Sequence, residues 1–136
     1  RRMSTGFDYN RMSLILAVLE KRAGYFFSNL DAYINVIGGI KLDEPASDLA
    51  VALAMISSLK GSALFDNAIV FGEIGLAGEV RAVSYAEERV IEAQRLGFEK
   101  CVLPYYNLKS MNLNFQNKIE LIGVKTIKQA FEALTL

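Results

Sequence analysis

The stretch Gly38-Gly39-Ile40-Lys41-Leu42-Asp43-Glu44-Pro45-Ala46-Ser47-Asp48-Leu49-Ala50-Val51-Ala52-Leu53-Ala54 contains a full change of local structure. A glycine pair closes what precedes it. Glu44-Pro45 then opens a helix, because proline's fixed φ and missing N–H suit a first helical turn. The helix is expected to run through Ala46 to about Leu59 and to end at Lys60-Gly61, where glycine supplies the exit. Its many alanines suit a central, close-packed element. Asp43 and Glu44 are adjacent acids, which point in different directions and form no acid/base pair. They favour the positive end of this helix instead.

Upstream, Asp8 is an N-cap for a helix over Tyr9 to Arg22, in which Met12, Ile15, Leu16 and Leu19 recur at helical spacing and Gly24 provides a stop. The runs Tyr25-Phe26-Phe27 and Ala32 to Ile37 are aromatic and β-branched. With Ser28-Asn29-Leu30-Asp31 between them they predict a β-hairpin. Downstream, Ala68-Ile69-Val70-Phe71 and Val80-Arg81-Ala82-Val83 predict strands on either side of the glycine-punctuated segment 72–78. Ala86 to Leu96 predicts an amphipathic helix closed by Gly97. Cys101-Val102-Leu103 reads as a buried strand stopped by Pro104, Lys118 to Val124 as a strand, and Ile127 to Leu134 as a last helix. Residues 105–117 are polar and carry no clear pattern. Alternating strands and helices define an α/β (α+β) domain.

At 136 residues, 52% hydrophobic and 22% charged, the chain can bury a core and is not disordered. Its longest strongly apolar stretch, about Met12 to Leu19, falls short of the roughly 20 residues a membrane helix needs, and no signal segment opens the chain. A cytoplasmic protein without membrane partners is expected. Arg1 to Gly6 lacks an initiator methionine and reads as a linker entering a domain. Net charge is zero, but Arg1, Arg2, Arg11, Lys21 and Arg22 gather in the first 24 residues against only Asp8 and Glu20. The middle of the chain is acidic and the far end basic. This division suits either a positive face toward nucleic acid or pairing between subunits.

The absence of histidine excludes a Ser-His-Asp triad and a Cys-His dyad, and with the single Cys101 it leaves no ordinary zinc set. Metal binding by this segment is not expected. Cys101 lies between Lys100 and an apolar pair, with no activating base, and is expected to be buried. Glycines 72, 75 and 78 have neither dinucleotide-fingerprint nor P-loop spacing; they are read as permitting tight turns and close backbone approach.

The opening stretch, together with Phe71-Gly72-Glu73-Ile74-Gly75-Leu76-Ala77-Gly78-Glu79-Val80-Arg81-Ala82-Val83, Asp8-Tyr9-Asn10-Arg11 and Ala17 to Gly24, resembles the Lon-protease-like domain that follows the ATPase core in the RadA (Sms) family of bacterial DNA-repair ATPases. The resemblance extends from the first arginines to about Pro104. It implies a Lon proteolytic-domain-like fold of mixed sheets packed with helices, residues 1–7 as a linker from an ATPase core, and residues 8–136 as the Lon-like domain. In Lon the nucleophile lies in an Asp-Gly-Pro-Ser-Ala-Gly motif. Aligning Asp43 and Pro45 with it puts Ala46 at the nucleophile position, and counting from Gly72-Glu73-Ile74 puts Glu87 at the catalytic lysine. A methyl group cannot attack a carbonyl, and a carboxylate reverses the charge required. Ser47 is one residue further, turned by about 100° on a helix, and is expected to bond near the helix start.

The resemblance therefore implies a domain that is not an enzyme: a non-proteolytic scaffold of a RecA-like, ATP-dependent DNA repair and recombination motor, forming a hexameric ring. Arg1, Arg2, Arg11, Lys21 and Arg22 are the candidate DNA-contacting residues. Single-stranded or branched DNA and recombination proteins of the RecA type are the implied partners. ATP, Mg and Zn are implied for the ATPase and zinc-binding regions only, with no cofactor in this segment. The competing reading is a pure oligomerisation module without DNA affinity. A third is a residual Ser-Lys peptidase using Ser47 and a lysine such as Lys41.

Overall fold

The computed structural model describes residues 1–112 and 118–136. Helix α1, Tyr9–Arg22, begins where expected: the Asp8 carboxylate accepts the Arg11 N–H at 2.9 Å. Its buried side chains are Met12, Ile15, Leu16, Val18 and Leu19, and Gly24 follows with φ 78°. A 3-10 turn, Pro45–Ser47, leads into helix α2, Asp48–Lys60, which Gly61 closes in the left-handed conformation.

The predicted hairpin does not form. Strand β1, Arg2–Thr5, comes from the residues read as linker and pairs in parallel with strand β2, Ala32–Asn35, in the register Arg2↔Ala32 to Thr5↔Asn35. Segment 25–28 lies outside any strand because side chains take its hydrogen bonds. Glu20 accepts the Phe27 and Ser28 N–H groups at 3.1 and 3.0 Å, and the Arg2 guanidinium donates to the Phe27 carbonyl at 2.7 Å and to the Leu30 carbonyl. With those groups satisfied, Tyr25–Phe27 has no ladder to join.

The second half is built on a three-stranded parallel sheet. Its order is β3 (Ala68–Val70), β6 (Lys100–Pro104), β7 (Glu120–Val124). The two strands expected around the glycine segment do not pair with each other. The first ends at Val70 in this sheet, while β4 (Glu73–Ile74) and β5 (Val80–Arg81) form a small antiparallel ribbon. Helix α3 covers Ala86–Arg95 and α5 Ile127–Leu134. Part of the unassigned segment forms helix α4, Tyr105–Ser110; the rest, 113–117, lies outside the described residues. The strand expected from Lys118 starts at Glu120, and β6 includes Pro104 as its last residue.

Alternation along these strands separates two cores. Ala68, Val70, Val102, Ile122 and Val124 face the apolar cluster of α1, α2 and α5. Ile69, Cys101, Leu103 and Leu121 face a second cluster with Val90 and Ala93 of α3. The sheet is thus the middle of three layers. The mixed α+β class read from the sequence is the class observed.

Candidate functional site

Ala46 sits inside the Pro45–Ser47 turn and is 2% exposed. Its carbonyl accepts the Gly72 N–H at 2.8 Å, and the Gly72 carbonyl accepts the Leu49 N–H at 3.0 Å. This clamp needs a glycine: a Cβ at position 72 would meet Val80 Cγ1 at 2.8 Å and Leu49 Cδ2 at 3.3 Å. Close backbone approach, expected of the glycine series, is realised here. The first turn of α3, carrying Glu87, lies beside the same turn. Ala46 and Ala86 share one apolar cluster, and Arg89 pairs with Glu44 at 3.3 Å. Glu87 itself is half-buried at the rim of a depression of about 280 Å³ shared with Val83, Tyr85 and Asn107. The elements bearing Ala46 and Glu87 therefore meet, and the side chains they present are a methyl group and a carboxylate.

Ser47 is not poised to attack anything. Its hydroxyl donates to the Glu44 carbonyl at 2.7 Å, closing the turn from outside. Lys41 lines a separate depression beside Phe7 and Ile40, to which Ser47 does not contribute.

Next to this turn is a polar centre that sequence reasoning missed. Asp48, 1% exposed, accepts the Ile74 N–H at 3.1 Å and receives the Arg11 guanidinium side-on, with Nε at 2.9 Å and a second bond from Nη2. A bidentate pair of this kind joins α1, α2 and β4 at one point. The Asp48 hydrogen bond is the main reason that Arg11 is held above its ordinary value, with the Asp48, Glu73 and Asp8 charges adding to it. The only signal in the sequence was an acid one turn into an otherwise apolar helix.

The five cations singled out from the sequence are not one patch. Arg11 is taken up by Asp48, and Arg2 by the carbonyls of Phe27 and Leu30. Arg1, Lys21 and Arg22 are exposed, the last two in the final turn of α1. Arg22 packs under the β4–β5 turn, where a Cβ on Gly78 (φ 83°) would come within 3.1 Å of the Arg22 Cβ.

Burial pushes the Cys101 thiol up to about 12, which makes it a poor nucleophile. Among the described residues, no group of His, Cys, Asp and Glu is arranged to hold a metal, and no helix is long and apolar enough to cross a membrane.

Residues 9–107 match the protein family described as subunit ChlI of Mg-chelatase. The chain belongs to that family. As a ChlI-family domain it is also similar over nearly its whole length to proteins named DNA repair protein RadA, the resemblance read from its sequence. It is 49% identical over 132 residues to RadA of Halalkalibacterium halodurans, covering 97% of this chain and 28% of that protein. The RadA of Streptococcus pyogenes serotype M3 is 48% identical over 134 residues, or 98% of this chain and 29% of the relative. For Streptococcus pneumoniae RadA the figures are 48% over 132 residues, 97% and 31%. The ChlI-family domain thus spans a little under a third of the relatives it matches.

Proposed function

We propose that this domain is a non-proteolytic, Lon-like scaffold of a RecA-like, ATP-dependent DNA repair motor, working in the cytoplasm as part of a hexameric ring and contacting DNA phosphates. The observation that carries this reading is the similarity to RadA across nearly the whole chain. Loss of proteolysis is supported by the geometry around the turn: a buried methyl at position 46, a carboxylate at 87, and a Ser47 hydroxyl spent on the Glu44 carbonyl. ATP, Mg and Zn belong, in this reading, to regions of a RadA-length protein other than this domain. RecA-type recombination proteins are its proposed partners.

Of the candidate cations, Lys21, Arg22 and Arg1 carry the DNA-contact role, since Arg2 and Arg11 are bound internally. Contacts of this kind position a phosphate backbone without reading sequence. Light scattering of the purified chain, with and without single-stranded DNA, tests assembly and DNA contact together. A ring-sized particle that gains mass with DNA at low salt, and loses it steeply as salt rises, is the expected result. Absence of binding at low salt would remove the DNA contact.

One observation favours the pure oligomerisation module. Met3 and Tyr33 stand side by side on the outer face of the β1–β2 sheet, 45% and 61% exposed, close in sequence to the exposed Ile37 and Ile40. An apolar face of that kind is suited to a neighbouring subunit. It predicts a ring indifferent to DNA.

A further inference from the structure

Resting on the DNA-contact reading above, we propose that the carboxyl edge of the β3–β6–β7 sheet is a binding surface for single-stranded nucleic acid, with Tyr106 stacking on a base and Lys125 holding the adjoining phosphate. Ligands of parallel α/β sheets collect beyond the carboxyl ends of the strands, because strand ends and following loops leave room there. Strands β6 and β7 are in register to their last residues, Pro104↔Val124, so Tyr105-Tyr106 and Lys125 emerge next to one another.

The three side chains form one unit. The Lys125 ammonium lies 4.5 Å from the Tyr105 ring centroid and 5.8 Å from that of Tyr106. The two rings meet edge to face, 5.3 Å apart at 87°. Tyr105 is half-buried, and its backbone packs closely on Gly123, where a Cβ would come within 3.2 Å of the Tyr105 Cα. Tyr106, by contrast, is 54% exposed. A ring held in place by its neighbour, and still open to solvent, is pre-organised for stacking and loses little freedom when a base lands on it. Lone exposed aromatics are common; an exposed ring beside an exposed lysine brings together the two elements of single-strand sites, a stacking aromatic and a cation for the backbone.

The unit is also joined to the exposed cations of α1. The Val80 N–H donates to the Lys125 carbonyl at 2.9 Å, and the Ile127 N–H to the Gly78 carbonyl at 3.4 Å. Gly78 lies against Arg22 on its other side. The β4–β5 turn therefore bridges Arg22 to Lys125, with Lys128 exposed in the first turn of α5. Glu79 is the acid within this turn. Its carboxylate accepts the Ala77 N–H at 3.0 Å and pairs with Arg81 at 3.3 Å, so its charge is largely answered locally. A nucleic-acid backbone following the ridge would meet cations at both ends and the Tyr106 ring beyond Lys125.

The test is fluorescence anisotropy of two labelled probes, oligo(dT) of about twenty nucleotides and an abasic oligomer of equal length, long enough for a site of this class. Tyr106→Ala is expected to weaken oligo(dT) binding by roughly 5- to 100-fold, the range of one lost stacking contact, and to leave the abasic probe unaffected. Tyr106→Phe should bind like the wild type. Lys125→Gln should weaken both probes and reduce the salt slope by about one. Unchanged oligo(dT) binding by Tyr106→Ala, or equal loss on both probes, overturns the stacking surface. If the Lys21→Glu/Arg22→Glu double variant still abolishes binding, the DNA-contact reading survives that failure. Wild-type protein that binds neither probe at low salt overturns both.

Discussion

Strand β6 has a neighbour on each edge and an apolar cluster on each face, with Cys101 and Leu103 turned to one and Val102 to the other. Strand β2 has β1 on one edge and no strand of the described residues on the other. The Ala32 and Val36 N–H groups donate to the Arg1 and Thr5 carbonyls, so the residues between them, Tyr33 and Asn35, turn their N–H and C=O groups outward. Beside that edge runs a groove of about 720 Å³ floored by Val51, Met55 and Leu59 of α2. Parallel sheets are normally covered on both faces. One sheet here meets that condition from within the chain, and the other covers its inner face only. A short parallel pair is therefore stable where helices can enclose it, and where they cannot, it leaves an apolar surface for something else.

The largest effect is expected at the buried Arg11–Asp48 pair, where α1 meets α2. Arg11→Ala leaves the Asp48 carboxylate buried without its cation, and should cost about 3–5 kcal/mol in urea denaturation. A change below about 1 kcal/mol would mean that the pair does not hold α1 to α2. Within the enclosed sheet, Leu103→Ala should cost about 2–5 kcal/mol, whereas Tyr33→Ala on the outer face of β2 should change stability by less than about 0.5 kcal/mol. Equal costs would erase the contrast between the sheets.

Cys101 gives a chemical probe of the same contrast. Because burial raises its folded value from 9.0 to about 12, the folded chain keeps a proton that the unfolded chain releases. Stability contributed by this group is present below the unfolded value and declines as pH rises between the two. Alkylation by iodoacetamide at mildly alkaline pH should follow global unfolding; rapid modification of the native protein would contradict an enclosed β6.

The smallest effect belongs to the open half. Hydrogen bonds from Ser28 and Phe27 hold the Glu20 carboxyl below its usual range, so its contribution is present above the unfolded value and lost as pH falls through the lowered folded one. Amide resonances of Phe27 and Ser28 should titrate with Glu20 in acid while those of β6 stay still. If both regions move together, the loop next to β2 is not independently held.

Helices α1, α2, α3 and α5 were legible because their signals are local. Asp8 before Tyr9, Pro45 in the first turn before α2, and glycines after α1, α2 and α3 act within one or two turns of chain. Strand partners were not. Tyr25-Phe26-Phe27 carries strand-forming residues, but its hydrogen bonds were claimed by Glu20 and Arg2, which lie at least five residues away in sequence and on other elements. The same gap limited the site. Ala46 and Glu87 were reached through the resemblance, by motif and counting, whereas the Arg11–Asp48 pair, 37 residues apart, left only a lone acid in an apolar run. Tyr105, Tyr106 and Lys125 likewise looked unremarkable until β6 and β7 were in register.

By itself the sequence determined the mixed α/β class, helices α1, α2, α3 and α5 and approximately where they end, the kinship with RadA, and the absence of a histidine-based catalytic set. Only the tertiary structure decided that residues 2–5 form a strand, that two parallel sheets divide the chain, and which cations are free. Caps and periodicity are properties of neighbouring residues. Parallel pairing, burial and ion pairing depend on segments brought together from far along the chain, where many partners are locally equivalent and the packing of the whole selects one.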